Sequence, residues 1–195
     1  VTDAAVREVD AIAIGASAGG IDALFHLLQG LPAGGAAPIV AVLHLPPDRD
    51  SQLAEIFQAR LAMPVREARP HEPLAAGTLY FAPPGYHLLV EPERTFSLSC
   101  DPPVQYSRPS IDVLLQSCAD AFGERLAAIV LTGANEDGAR GLADVAAAGG
   151  LTVVQDPGEA AHAAMPAAAV RLAGPDMVLP LAGIRGLLHT LLFRT

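Results

Sequence analysis

The chain has 195 residues, 51% hydrophobic and 17% charged, so it can bury a sizeable core as one domain and is not globally disordered. Its 21 acidic and 12 basic residues leave a net charge of −9, which argues against a nucleic-acid or anionic-membrane binder. All 12 basic residues are arginine, and the absence of lysine excludes Walker-type nucleoside triphosphatases, pyridoxal-phosphate enzymes and any lysine Schiff base.

Cys100 and Cys118 form neither a CxxC pair nor a disulfide framework, which points to a reducing compartment and a cytoplasmic protein. No apolar run approaches the roughly 18 residues needed to cross a bilayer, so no membrane insertion is expected. Val1 to Asp10 are polar and aperiodic and read as a lead-in. Ala11 to Gly15 form a compact apolar run that breaks at Ala16-Ser-Ala-Gly-Gly20. Ile21, Leu24, Phe25 and Leu28 then recur at helical spacing: a strand, a glycine turn and a helix. Pro38 to His44 is a second buried strand, followed by a Pro46-Pro47-Asp48 turn and a helix from Ser51 to Leu61.

Between 70 and 99 the rhythm breaks. Thr78 to Ala82 and His87 to Val90 flank Pro83-Pro84-Gly85, Phe96 to Ser99 adds a strand, and short antiparallel pairing is expected there. Pro109 to Phe122 is a helix. Leu126 to Leu131 is a third buried strand, ending in Thr132-Gly-Ala-Asn-Glu-Asp-Gly138 before an alanine-rich helix to Ala148. Leu151 to Val154 is a fourth strand. A helix interrupted around Pro166, a short Met177-Val-Leu179 segment and a C-terminal helix complete the chain. Alternating elements with all-apolar strands predict a single doubly wound α/β domain over 1–195. Its sheet should be mainly parallel, with helices on both faces and an antiparallel hairpin insertion.

Sites in such sheets lie beyond the carboxyl ends of the strands. Ser17 follows strand one, His44 closes strand two and Asp137 follows the Leu126–Leu131 strand, so one sheet edge collects a nucleophile, a base and an orienter. Taken singly, Ser17 and Asp137 also read as helix N-caps and His44 as a packed, hydrogen-bonded histidine. Backbone N–H groups at Ala18 and Ala134 are the candidate oxyanion donors. Gly19 and Gly20 either open the approach for substrate or serve close strand–helix packing. Glu136, beside Asp137, either adds negative potential near His44 or points into water.

A dinucleotide site is the competing use of Gly15-Ala-Ser-Ala-Gly-Gly20, which looks like the glycine turn of short-chain dehydrogenases. Those enzymes use a Tyr with a Lys four positions later, and Leu43-His44-Leu45-Pro46 stands where an acidic ribose partner is expected. The six histidines show no metal-ligand spacing. A dinucleotide site and a metal site are therefore both disfavoured.

Seven segments stand in order along the chain: Ile14-Gly-Ala-Ser-Ala-Gly-Gly20, Val42-Leu-His-Leu-Pro46, Pro73 to Pro84, Arg108-Pro-Ser-Ile-Asp112, Leu131-Thr-Gly133 with Asp137-Gly138, Gln155-Asp156 and Met165-Pro166. Together they resemble the catalytic domain of the bacterial chemotaxis protein-glutamate methylesterase and glutamine deamidase family, which implies that no organic cofactor or metal is required. The resemblance runs from about Ala11 to Ile184 and implies Ser17 as nucleophile, His44 as base and Asp137 as its orienter. It implies a methyl-esterified glutamate on a chemoreceptor's cytoplasmic helices as substrate, and a receiver or other signalling protein as a further partner. Family members usually carry an N-terminal receiver domain, whereas about ten residues precede strand one here. The family's Gln-His-Met is Leu43-His44-Leu45, and its Gly-Met-Gly-x-Asp-Gly loop is Gly133-Ala-Asn-Glu-Asp-Gly138. A non-catalytic relative that binds helical signalling proteins is the alternative, and an intact Ser17, His44 and Asp137 count against it.

Overall fold

The computed structural model describes residues 7–44 and 51–193. The Pro46-Pro47-Asp48 turn, Leu45 and most of the lead-in lie outside the described residues. In chain order the elements are β1 (Ala11–Ala16), α1 (Gly20–Leu28), β2 (Ile39–Leu43), α2 (Leu53–Gln58), β3 (Val65–Glu67), β4 (Leu79–Phe81), β5 (His87–Val90) and β6 (Phe96–Ser99). There follow α3 (Ile111–Phe122), a 3-10 turn, β7 (Leu126–Val130), α4 (Ala139–Ala147), β8 (Leu151–Gln155), α5 (Ala164–Ala173), β9 (Met177–Leu179) and α6 (Leu181–Leu192). Seven strands form one sheet in the order β3-β4-β2-β1-β7-β8-β9, parallel at every pairing, and β5 and β6 form a separate antiparallel pair.

The period-two alternation of strand side chains sorts the core into two halves. Ile12, Ile14, Ile39, Leu43 and Ile129 face α1, α2 and α6 through Leu24, Leu28, Phe57 and Leu188. Ala13, Val40, Val42, Ala128 and Val130 face α3, α4, α5 and the hairpin through Leu114, Leu142, Met165 and Phe96. Both faces of the central strands are thus dry, which is why their sequences read as unbroken apolar runs.

Three sequence expectations change. Thr78 to Ala82 does not pair with His87 to Val90. Instead β4 lies between β3 and β2, with Leu79 and Phe81 in one half-core and Tyr80 in the other, and the antiparallel partners are β5 and β6. The helix expected over 51–61 is only α2, because the Gln58 side chain turns the chain toward β3: its Nε2 donates to Met63 O and its Oε1 accepts from Val65 N. Helix α5 is not interrupted at Pro166. That residue falls in the first turn, where a helix leaves its N–H groups without intrahelical partners, so proline costs no bond.

Candidate active site

Strands β2, β1 and β7 are neighbours, and their ladders run one step past the strand ends. Ser17 N donates to Thr132 O at 3.0 Å and His44 N donates to Ala16 O at 3.1 Å. This places Ser17 and His44 side by side at the carboxyl edge, with the loop of Asp137 on the other side of β1. Ser17, Gly19, Gly20, Ile21, Asp22, Leu43 and His44 line one depression of about 250 Å³ there. A second depression of about 190 Å³ lies beyond His44 and is lined by Gly85, Tyr106, Ser107 and Arg108 among others.

His44 Nε2 donates to Asp137 Oδ2 at 2.8 Å, and the Asp137 side chain is wholly buried. Burying a carboxylate is costly unless its lone pairs are occupied. Here the α3 N-terminus supplies the partners: Ile111 N donates to Oδ2 at 2.7 Å, Asp112 N to Oδ1 at 3.0 Å and Ser110 Oγ to Oδ1 at 2.8 Å. Burial pushes the Asp137 carboxyl up. The bonds from His44, the two backbone N–H groups and Ser110 outweigh it and hold the group below the usual carboxylate range. Asp137 is therefore anionic and aimed at the imidazole. Buried His87 steadies Ser110, accepting from Ser110 N at Nδ1 (3.2 Å) and donating from Nε2 to Pro102 O (3.1 Å).

The exchange between helices is reciprocal. Asp137, just before α4, caps α3, while Asp112, in the first turn of α3, caps α4: its Oδ1 accepts from Gly138 N at 2.9 Å and Gly141 N at 2.8 Å. A side chain at Gly141 would collide with Asp112 and Leu115, so glycine permits this approach. Asp112 Oδ2 is buried with no hydrogen-bond partner among the described residues. Burial, together with the Asp137 charge, pushes the Asp112 carboxyl up against the pull of those backbone donors.

The Ser17 side is built differently. Ser17 is half-buried, and its Oγ has no hydrogen-bond partner among the described residues. The structure brings Ser17 to the same depression as His44 but does not join the two by a hydrogen bond. Gly19 has φ 77°, a left-handed value that suits glycine, and Gly20 is packed so that a Cβ would meet Leu43 and Ala16. Close packing thus accounts for Gly20, while both glycines line the depression. Thr132 Oγ1 pins the turn by donating to Ala18 O at 2.9 Å. The N–H groups of Ala18 and Ala134 donate to no protein acceptor among the described residues.

Glu136 is exposed and accepts from Arg171 Nη2 at 3.0 Å, and Asp137 alone of this carboxylate pair bonds His44. Sequence reasoning assigned no role to Ser107, Asp112, Thr132 or Gln155 and took Ser110 only as a helix-start signal, which it is, its Oγ accepting from Val113 N at 3.5 Å. Thr132 N donates to Gln155 Oε1 at 2.8 Å, tying the end of β7 to β8. The available signal was a serine preceding a helical apolar stripe at Ser110, a pattern that marks a helix start but not what docks onto it.

Residues 12–188 match the family model of the CheB methylesterase. The chain is 43% identical over 172 residues to a putative protein-glutamate methylesterase/protein-glutamine glutaminase of Leptospira interrogans, covering 88% of this chain and 89% of that protein. It is 39% identical over 173 residues to the protein-glutamate methylesterase/protein-glutamine glutaminase of Symbiobacterium thermophilum, covering 89% of this chain and 48% of that longer protein. The fold superposes on the crystal structure of the Thermotoga maritima CheB methylesterase catalytic domain with a TM-score of 0.88 at 29% identity, over 94% of this chain and 99% of that one.

Proposed function

The chain belongs to the CheB methylesterase family, and from that premise we propose that it hydrolyses glutamate methyl esters on chemoreceptor helices through Ser17, His44 and Asp137. The observation that carries this reading is the short bond from His44 Nε2 to a buried, anionic Asp137. With Nε2 committed as the donor, Nδ1 is the ring atom left to act as base, and Asp137 stabilises the imidazolium that forms.

His44 Nδ1 takes the Ser17 Oγ proton as Oγ attacks the ester carbonyl. The tetrahedral oxyanion is met by the N–H groups of Ala18 and Ala134. Collapse expels the methoxy group, which leaves as methanol with the proton from His44, and a glutamyl ester remains on Ser17. His44 then deprotonates a water that attacks this ester, freeing the glutamate side chain and returning the proton to Ser17. On a glutamine side chain the same sequence releases ammonia, the glutaminase activity named for the relatives. Ala134 keeps the backbone donor of this loop without the side chain that the family usually carries there. The partner is the methylated cytoplasmic part of a receptor, which places the reaction in the cytoplasm, and a receiver or other signalling protein is the expected controller. No helix among the described residues is long and apolar enough to cross a membrane.

The test is methanol release from a methylated receptor cytoplasmic fragment. Release by the wild-type chain supports the reading. Binding of the fragment without methanol or ammonia release would make the chain a non-catalytic member of its family.

A further inference from the structure

His44 has a second partner that the proposed chemistry does not use. Ser107 Oγ lies 3.4 Å from His44 Nδ1, on the ring atom opposite the one bonded to Asp137. Asn135 Nδ2 lies 3.3 Å from Ser107 Oγ, and Asn135 Oδ1 accepts from Asp137 N at 3.3 Å. The four residues close a ring: Asp137 to Asn135 to Ser107 to His44 and back to Asp137.

Two groups set the bond directions in this ring, the Asp137 backbone N–H and the Asp137 carboxylate. The backbone N–H of Asp137 can only donate, so it requires the Asn135 carbonyl oxygen, and the Asn135 amide nitrogen is then turned to Ser107. That amide can only donate, so Ser107 Oγ accepts from it and spends its own proton elsewhere. Two acceptors lie 3.4 Å away, Gln105 O and His44 Nδ1, and Nδ1 can accept because the Asp137 carboxylate keeps the ring proton on Nε2. The Asp137 carboxylate selects the tautomer with an unprotonated Nδ1, and a Ser107 hydroxyl that donates to this atom agrees with it.

We propose that Ser107 is a positioning residue for His44, its hydroxyl holding Nδ1 in the resting site with a polarity that Asn135 sets. This rests on the reading of His44 as the base. The bonds at 3.3–3.4 Å are long for their types, and a bond that must yield the same lone pair to the Ser17 proton has to be weak. The backbone delivering Ser107 is firmly held. Val104 and Ser107 exchange both backbone hydrogen bonds around Gln105 (φ 50°) and Tyr106 (φ 63°), two non-glycine residues in left-handed conformation. The next residue, Arg108, is anchored by Nη1 donating to the carbonyls of Cys100 and Asp101. Ser107 Oγ also has Gln105 O within 3.4 Å, so its proton can turn there when Nδ1 becomes protonated, and Oγ then accepts from the imidazolium. The hydroxyl thus matches both states of the base.

The charged groups near His44 among the described residues are Asp137 on Nε2, Asp112 behind it, Asp22 across the Ser17 depression and Arg108 beside Ser107. Variants at Ser107 and Asn135 leave all four in place. The direct readout is the nitrogen-15 resonance of the His44 ring in Ser107→Ala, Ser107→Thr and wild type, without substrate. Ser107→Ala should move Nδ1 toward an unbonded acceptor nitrogen and leave Nε2 unmoved, and Ser107→Thr should retain the wild-type position. On ester substrate, loss of one weak bond should lower kcat in Ser107→Ala about threefold to tenfold with KM held. Asn135→Asp, which cannot donate to Ser107, should move the acidic limb of kcat/KM to higher pH, and the shift should shrink when Ser107→Ala is added.

An Nδ1 resonance identical in wild type and Ser107→Ala would overturn the proposal, as would an Asn135→Asp shift of the same size in both backgrounds. The resonance is read without turnover. A chain inactive on every ester that still shows the Nδ1 change would defeat the esterase reading alone, and an active chain with an unmoved Nδ1 would defeat this inference alone.

Discussion

The two sides of His44 are built to opposite specifications. On the Asp137 side both oxygens of that carboxylate are bonded, its side chain is wholly buried, and two helices cap one another through Asp137 and Asp112. On the Ser17 side the hydroxyl has no partner among the described residues, Gly19 and Gly20 form part of the wall, and the depression opens to solvent. The contrast separates two tasks. Orienting and stabilising an imidazolium needs fixed dipoles, which packing can provide in advance. A nucleophile needs room for an incoming carbonyl, so the Ser17 hydroxyl itself contributes little to holding the fold. Changes on the Asp137 side should therefore cost stability and rate together, and changes on the Ser17 side rate alone.

The largest expected effect is at the shared residue. His44→Ala should lower ester hydrolysis by about 10³–10⁶-fold. Its effect on the melting temperature should stay small, because His44 is partly exposed and supplies only one of the Asp137 bonds. Asp137 should separate the two sides. Asp137→Asn is expected to cost on the order of 10⁴-fold in rate by the precedent of Ser-His-Asp hydrolases. Asp137→Ala should in addition destabilise by about 3–5 kcal/mol, because Ile111 N, Asp112 N and Ser110 lose their buried acceptor. That corresponds to a melting temperature lower by on the order of 10 °C. An Asp137→Ala chain as stable as wild type would erase the contrast.

A smaller effect sharpens it through pH. The Asp137 carboxyl is held low, so its contribution to stability is full above the ordinary aspartate range near about 4 and is lost as pH falls through its depressed value. Asp112 is pushed up, so the folded state binds its proton more tightly, and stability is lost as pH rises through that raised value. Asp112→Asn removes only the second dependence. Its melting temperature relative to wild type should rise as pH increases from about 4 through the raised Asp112 value, by a few degrees at most. A difference that is flat or falling with pH would mean that the Asp112 carboxylate is not strained in the folded state. The smallest effect is expected at Glu136, which is paired with Arg171: Glu136→Gln should leave the acidic limb of kcat/KM superimposable on wild type.

The legibility of these features in the sequence follows the same physical divide. Central strands buried on both faces leave continuous apolar runs, so β1, β2, β7 and β8 stand out, and parallel pairing then puts the residues after them on one edge. Ser17, His44 and Asp137 emerge from that reasoning with no contact information. Strand β4 was harder, because Leu79-Tyr-Phe81 between Gly77 and Pro83 is equally a hairpin arm or a short interior strand. Only its partner β3, three residues ending in Glu67, decides the matter. The roles of Ser107, Ser110 and Asp112 were illegible for a different reason. Each depends on where the α3 N-terminus docks, which is a tertiary fact set by Ile111 fitting against Gly15 and Gly138. A short polar residue near a helix start looks the same in sequence whether it faces water or a buried carboxylate.

The most direct measurement pairs the two properties in one variant. Ser17→Ala and wild type are compared at equal concentration for methanol release from a methylated receptor fragment and for melting temperature. The expected result is a loss of release by about 10³-fold or more with a melting temperature unchanged within about 2 °C. Equal release by the two chains would contradict Ser17 as the nucleophile, and a large fall in melting temperature would contradict the division of the site into a bonded half and an open one.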